Sequence, residues 1–226
     1  YKTDILENGF QRPDGRQRFG QFRLVAPLPK GKLPITLLPR LTLRIQQEPE
    51  TQGNNWGLGG SDLFVLGILN DWGTGRWGIG PQINFPSMEG FGNTSWGLGL
   101  AGAVTQRAFN DKLFMALLLQ QTWSDQGSGA KPGVLSINPT FVIQIIDGWY
   151  AGNGDYVISY NWQDNSWLVP IGLRIGKAFI RERSTFNAYI EWASSASWPN
   201  WQGPVASNSI RVNVQWQIPV KLNAKK

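Results

Sequence analysis

Residues 209–218, Ser-Ile-Arg-Val-Asn-Val-Gln-Trp-Gln-Ile, set Ile210, Val212, Val214, Trp216 and Ile218 against Arg211, Asn213, Gln215 and Gln217. Successive side chains of an extended chain point to opposite faces, so a period of two marks a strand with one oily and one wet side. Such a strand suits either a soluble sandwich or a barrel, and the rest of the chain has to decide between them.

The same alternation recurs upstream. Ile35, Leu37, Pro39, Leu41, Leu43 and Ile45 oppose Thr36, Leu38, Arg40, Thr42, Arg44 and Gln46, while Trp77, Ile79, Pro81, Ile83 and Phe85 oppose Gly78, Gly80, Gln82 and Asn84. Leu135 to Ile145 and Trp167 to Ile175 repeat it. A soluble sandwich would load its wet face with Lys and Glu; here that face holds Gly, Asn, Gln, Thr and a few Arg, which suits an enclosed lumen. Strand candidates fall at 18–28, 34–46, 61–69, 76–86, 95–106, 112–123, 134–146, 149–161, 166–179, 185–194 and 208–219. Most exceed the roughly 5 to 6 residues usual in globular sheets and match a tilted strand crossing a bilayer. The candidates at 61–69 and 112–123 are apolar on both faces, so periodicity leaves their orientation open.

Composition points the same way. The chain of 226 residues carries 12 Trp and 27 Gly, and only 16 % of it is charged, against about 25 % in a typical soluble domain. No apolar run approaches the roughly 20 residues of a membrane-spanning helix. Lipid offers no hydrogen bonds to an open sheet edge, so a membrane protein without such a helix has to be a closed strand barrel. The expectation is therefore an all-β fold, a closed antiparallel transmembrane β-barrel forming one domain over residues 1–226. Short turns at 30–32, 71–75, 109–111, 147–148 and 181–183 take turns with longer loops at 47–60, 87–94, 124–133 and 195–207, with a short external loop near 163–165 as the exception; this is the asymmetry of periplasmic turns and external loops in bacterial outer-membrane barrels. Those barrels have even strand numbers. Twelve strands are expected, with eleven visible and the first formed poorly within residues 1–16 or absent from the chain. The start at Tyr1, without a basic and apolar leader, reads as a processed or trimmed product.

Tryptophan placement agrees with this topology. Trp77, Trp149 and Trp216 fall at the expected periplasmic strand ends, and Trp96, Trp123, Trp162, Trp167 and Trp192 at the external ends. Rings with one polar atom favour the headgroup region and form the girdles of such barrels. The alternative is that they fill the core of a soluble β protein.

Much chemistry is excluded. There is no Cys and no His, which removes disulfides, thiolate metal sites, the commonest metal ligand and any Ser-His pair. Gly57-Leu58-Gly59-Gly60 and Gly90-Phe91-Gly92 open into no helix with a Lys-Ser/Thr, so neither is a phosphate loop. Clustered inward carboxylates for a glycosidase or calcium site are lacking. No enzyme, cofactor or metal site is expected. The net charge of +6 is scattered over turns, lumen and the tail lysines Lys221, Lys225 and Lys226, without the stacked aromatics of a nucleic-acid platform.

From residue 140 to 220 the order of motifs resembles a family of bacterial outer-membrane barrels associated with meta-pathway phenol degradation. The matching pieces are Asp147-Gly148-Trp149-Tyr150, Tyr160-Asn161-Trp162, Trp167-Leu168-Val169-Pro170-Ile171-Gly172, Gly176-Lys177 and Val214-Gln215-Trp216-Gln217-Ile218-Pro219. Leu37-Leu38-Pro39, Gly57-Leu58-Gly59-Gly60-Ser61-Asp62 and Trp77-Gly78-Ile79-Gly80-Pro81 echo it upstream in the same order. The resemblance implies a transporter-like barrel in the bacterial outer membrane, passing small solutes, with no catalytic motif to carry over.

With the oily side toward lipid, Arg23, Arg40, Arg44, Arg174 and Arg211 point inward against Asp155 and Glu191. An inward excess of positive charge concentrates anions, as basic rings do in anion pores. The leading expectation is a passive pore for small solutes with a preference for anions. The alternative is a non-conducting structural or anchoring barrel of a larger envelope complex, its Arg paired with Asp155, Glu191 and inward Tyr or Asn, and its mouth covered by the loop of Trp198, Trp201 and Pro204. A soluble ligand-binding barrel is the third reading. Inward glycines (Gly78, Gly80, Gly97, Gly99, Gly172, Gly176) leave room for a solute or mark tight bending of the sheet.

Overall fold

The computed structural model describes residues 15–30, 34–47, 55–125, 130–181, 184–201, 203 and 205–218. Those residues form β-strands and connections, without a helix. The strands are β1 (Arg18–Val25), β2 (Thr36–Gln47), β3 (Gly57–Leu58), β4 (Ser61–Asp71), β5 (Gly75–Phe85), β6 (Gly97–Ala108) and β7 (Leu113–Asp125). They continue as β8 (Ala130–Ile146), β9 (Trp149–Asn153), β10 (Ile158–Asn161), β11 (Ser166–Arg181), β12 (Ser184–Ser197) and β13 (Ser209–Gln217). All thirteen belong to one antiparallel sheet whose main path follows the chain order. β3 and β4 both pair with β2, and β9 and β10 share the place between β8 and β11, so the sheet has eleven places. Residues 1–14 of the expected first strand, the tail lysines, Pro204 and parts of the turns at 30–32 and 181–183 and of the loops at 47–60 and 124–133 lie outside the described residues.

Ten of the eleven sequence candidates reappear as single strands with shifted ends. The exception is 149–161, which divides into β9 and β10. Its middle reads Gly152-Asn153-Gly154-Asp155, residues depleted in strands, and the chain there turns toward the interior. Tight reversals use the residues such turns require. Asp147 and Gly148 both take positive φ (47° and 79°), the type I′ pattern of a two-residue hairpin.

The burial pattern is inverted relative to a water-soluble sheet. Val212 and Val214 are each 72 % exposed and Leu173 69 %, whereas their polar neighbours Arg211, Asn213 and Gln215 are half-buried. The sheet curls so that its polar face is the inner one and residues from distant strands meet there. The guanidinium of Arg211 on β13 lies 5.3 Å from the ring of Phe19 on β1, which itself stacks on Arg44 of β2 at 4.4 Å. Between β1 and β13 there is no backbone pairing among the described residues.

The strands that were apolar on both faces are now oriented. Phe64 and Leu66 of β4 point inward and are nearly inaccessible; with Ala101 they form a cluster extended by Leu38, Ala103 and Leu118. This side of the interior therefore holds an apolar cluster beneath the guanidinium of Arg40, which stacks on Phe64 at 4.2 Å.

Inward glycines mark close backbone approach. A Cβ at Gly80 would collide with the carbonyl oxygen of Val65, and one at Gly99 with that of Gln121. Bending, not space for a solute, accounts for both. Gly80→Val is expected to cost about 2 kcal/mol or more, measured by urea unfolding, while Gly60→Ala, whose added methyl meets nothing within 4 Å, should leave the midpoint unmoved.

Candidate functional site

Register brings the predicted inner charges into one row. Arg174 on β11 faces Glu191 on β12, which faces Arg211 on β13. A carboxylate is added to this row by the inward turn between β9 and β10. At its start Asn153 replaces the missing strand pairing with its side chain: its amide Nδ2 donates to the Pro139 carbonyl and its Oδ1 accepts from the Phe141 N–H, both at 2.6 Å. The chain then dips inside. Gly154 N–H donates to the Gly172 carbonyl at 3.1 Å and Asp155 N–H to Glu191 Oε2 at 2.6 Å.

This places the Asp155 carboxylate among cations from both ends of the sheet. Oδ2 accepts from Arg211 Nη1 at 3.0 Å and lies 3.4 Å from Arg23 Nη1, while Oδ1 accepts from Asn138 Nδ2 at 3.0 Å. Glu191 Oε1 stands 3.9 Å from the same Arg211 nitrogen. One side chain from the connector thus links β1 to β13 through charged partners, Arg211 half-buried and Arg23 more exposed.

A second network crosses the other half. Arg40 Nη2 reaches Asp62 Oδ2 and Gln120 Oε1, each at 3.5 Å; Gln120 Nε2 donates to Gln82 Oε1 at 2.9 Å, and Gln82 Nε2 to Asn84 Oδ1 at 2.8 Å. β2 and β7 are not sheet neighbours, so Arg40 and Gln120 meet through the interior. Toward the end with short turns, Tyr150 O–H donates to Asn187 Oδ1 at 2.8 Å, and Asn187 Nδ2 to Gln215 Oε1 at 3.1 Å. The Tyr150 ring crosses β11 where Gly176 has no side chain; a Cβ there would strike it.

Of the seven residues expected to line the lumen, Arg40, Arg44, Asp155, Arg174, Glu191 and Arg211 are buried or half-buried and Arg23 is exposed; Arg23, Asp155, Glu191 and Arg211 converge. Arg40 and Arg44 stand apart from that group. Arg40 pairs with Asp62, and Arg44 Nη2 donates to Gln17 Oε1 at 3.3 Å. Arg174 stacks on Tyr189 at 5.3 Å and makes no ion pair with a described residue. Asp62, Gln120 and Phe19 were missed by sequence reasoning, whereas Gln82 and Asn84 had been read on the polar face without a partner. Asp62 shares its parity with Phe64 and Leu66, and that signal was hidden because both faces of β4 are apolar.

No protein-family model, curated protein or solved structure matches this chain. The reading of the site therefore rests on its geometry. The quoted motifs fall on the turn into β9, the end of β10, β11 and the end of β13.

The tryptophans expected at the membrane interface face outward. Trp77, Trp149 and Trp216 stand near the short turns; Trp96, Trp123, Trp162 and Trp167 stand near the longer loops, and each is at least 37 % exposed. Trp162 Nε1 donates to Gln121 Oε1 at 2.7 Å, and Tyr160 packs edge-on to Trp162 with ring centres 4.8 Å apart. Trp192 departs from its expected place. β12 runs on to Ser197, which leaves Trp192 inside the strand, donating from Nε1 to Asn208 Oδ1 at 3.1 Å. Trp198 and Trp201, read as covering the mouth, are half-buried.

Proposed function

We propose that this chain is a β-barrel of the bacterial outer membrane, closed around its own polar face, that serves as a non-conducting structural or anchoring wall in the cell envelope. The observation that carries the membrane reading is the inverted burial: an almost unbroken oily exterior between two outward aromatic bands, in a chain with so few charges. Closure is supported by Asp155, which holds the guanidiniums of the first and last strands on one oxygen atom. An edge left open in hydrocarbon would leave a row of peptide groups unpaired.

The filled interior supports the structural role over the pore. Phe64 and Leu66 are 3 % exposed and Gln82 and Glu191 4 %, so packed side chains occupy the interior around these residues. A barrel of eight strands is filled and one of sixteen is open, and this one is built like the former.

A small-solute pore with anion preference is the second reading. It is favoured by the inner excess of guanidinium, above all by Arg174, which makes no ion pair within 4 Å among the described residues. Planar-bilayer recording separates the two: the wild-type chain is expected to insert without conductance steps. Resolved steps with anion selectivity would replace the anchoring role by the pore. A chain monodisperse without detergent would remove both.

A further inference from the structure

The inward turn that delivers Asp155 leaves a mark on the outside. β9 ends at Asn153 and the chain departs to the interior, and the last outward side chain before that, Ala151, is a methyl between its register partners Ile143 and Ile175. A furrow of about 670 Å³ results, walled by Phe141, Ile143, Leu173, Ile175 and Trp192 with Ala151 at its floor. One outward row beyond Ile175 and Ala151, about 7 Å along the strands, Lys177 faces Trp149. Its ammonium lies 5.1 Å from the Trp149 ring and 5.3 Å from that of Phe179, and it makes no ion pair with a described residue.

We propose that this furrow and Lys177 form a binding site for one anionic phospholipid. An apolar trough takes an acyl chain, and an unpaired cation held on aromatic faces at its end takes the phosphodiester. The charge complementarity selects a lipid over a second copy of the chain, whose outward faces would bring Lys177 against another apolar surface and leave its charge unmatched. The turn at Asp147 and Gly148 adjoins this cation, since Ala178 N–H donates to the Gly148 carbonyl at 2.9 Å. That puts the headgroup at the end of the sheet with short turns. The site rests on the membrane reading above.

Native mass spectrometry tests it on protein reconstituted into vesicles of equal phosphatidylcholine and phosphatidylglycerol. Wild type is expected to retain phosphatidylglycerol preferentially. Lys177→Gln, which removes one charge, is expected to lower that preference about five-fold; Lys177→Arg should keep it, and Ala151→Phe, which fills an exposed trough without touching the interior, should lower it as well. Protease protection of the vesicle-bound chain is measured alongside. Inserted, protected protein with no preference for phosphatidylglycerol, or with a preference that Lys177→Gln and Ala151→Phe leave intact, overturns the lipid site while the membrane reading stands. Dimers that Ala151→Phe dissolves overturn it in favour of a second copy. Failure of the chain to insert at all overturns both.

Discussion

Replacing Asp155 with alanine is expected to lower the unfolding free energy by about 3–5 kcal/mol. The side chain is 16 % exposed and the guanidiniums of Arg23 and Arg211 keep 34 % and 23 %, so the lower part of that range applies. The loss has two sources. Two cations that shared one carboxylate oxygen are left facing each other, and the tie between the first and last strands is gone. Asp155→Asn separates them, because it preserves shape and a hydrogen-bonding oxygen while removing the charge, and it should fall between wild type and alanine. Urea titration in detergent, with hydrogen exchange of β1 as a local probe, measures both. A midpoint unmoved by the alanine substitution would show that the two edges are held by something else.

The second expected result concerns the outside. Val212→Arg, in the middle of β13, should cost about 2–4 kcal/mol in a lipid bilayer, because a guanidinium would be placed in hydrocarbon. The size of the effect is diagnostic. Val212 is 72 % exposed, and in water a substitution at so open a position is worth within about 0.5 kcal/mol. Folding equilibria in lipid vesicles, compared with those of a substitution at the nearby exposed strand end, give the value. A near-zero cost would place water against this face and remove the membrane reading with its lipid site.

Alternating residues carried most of the architecture openly. Strands such as β11 and β13, with one oily and one polar side, could be drawn with the right face outward before any coordinates. β4 and β7 could not, because an interior partly filled by Phe64, Leu66 and Leu118 erases the contrast on which periodicity depends. The inner site was legible as a set of charges and not as a constellation. Parity placed Arg211 and Glu191 inside, but the meeting of Asp155 with Arg23 depends on a chain departure after Asn153 and on curvature, and neither has a local signature beyond a run of Gly, Asn and Asp. Trp192 was read as a terminal residue because its strand was ended too early at the serine and alanine residues 194–197, which extend β12.

Eleven places in a meander give the sheet an arithmetic consequence. With every neighbour antiparallel, the outermost ribbons, β1 and β13, point the same way. Bonding one directly to the other would create a single like-directed joint, with slanted, evenly spaced bonds in place of the alternating narrow and wide pairs found elsewhere. A lone extra ribbon slotted between them would run counter to both and restore an even ring.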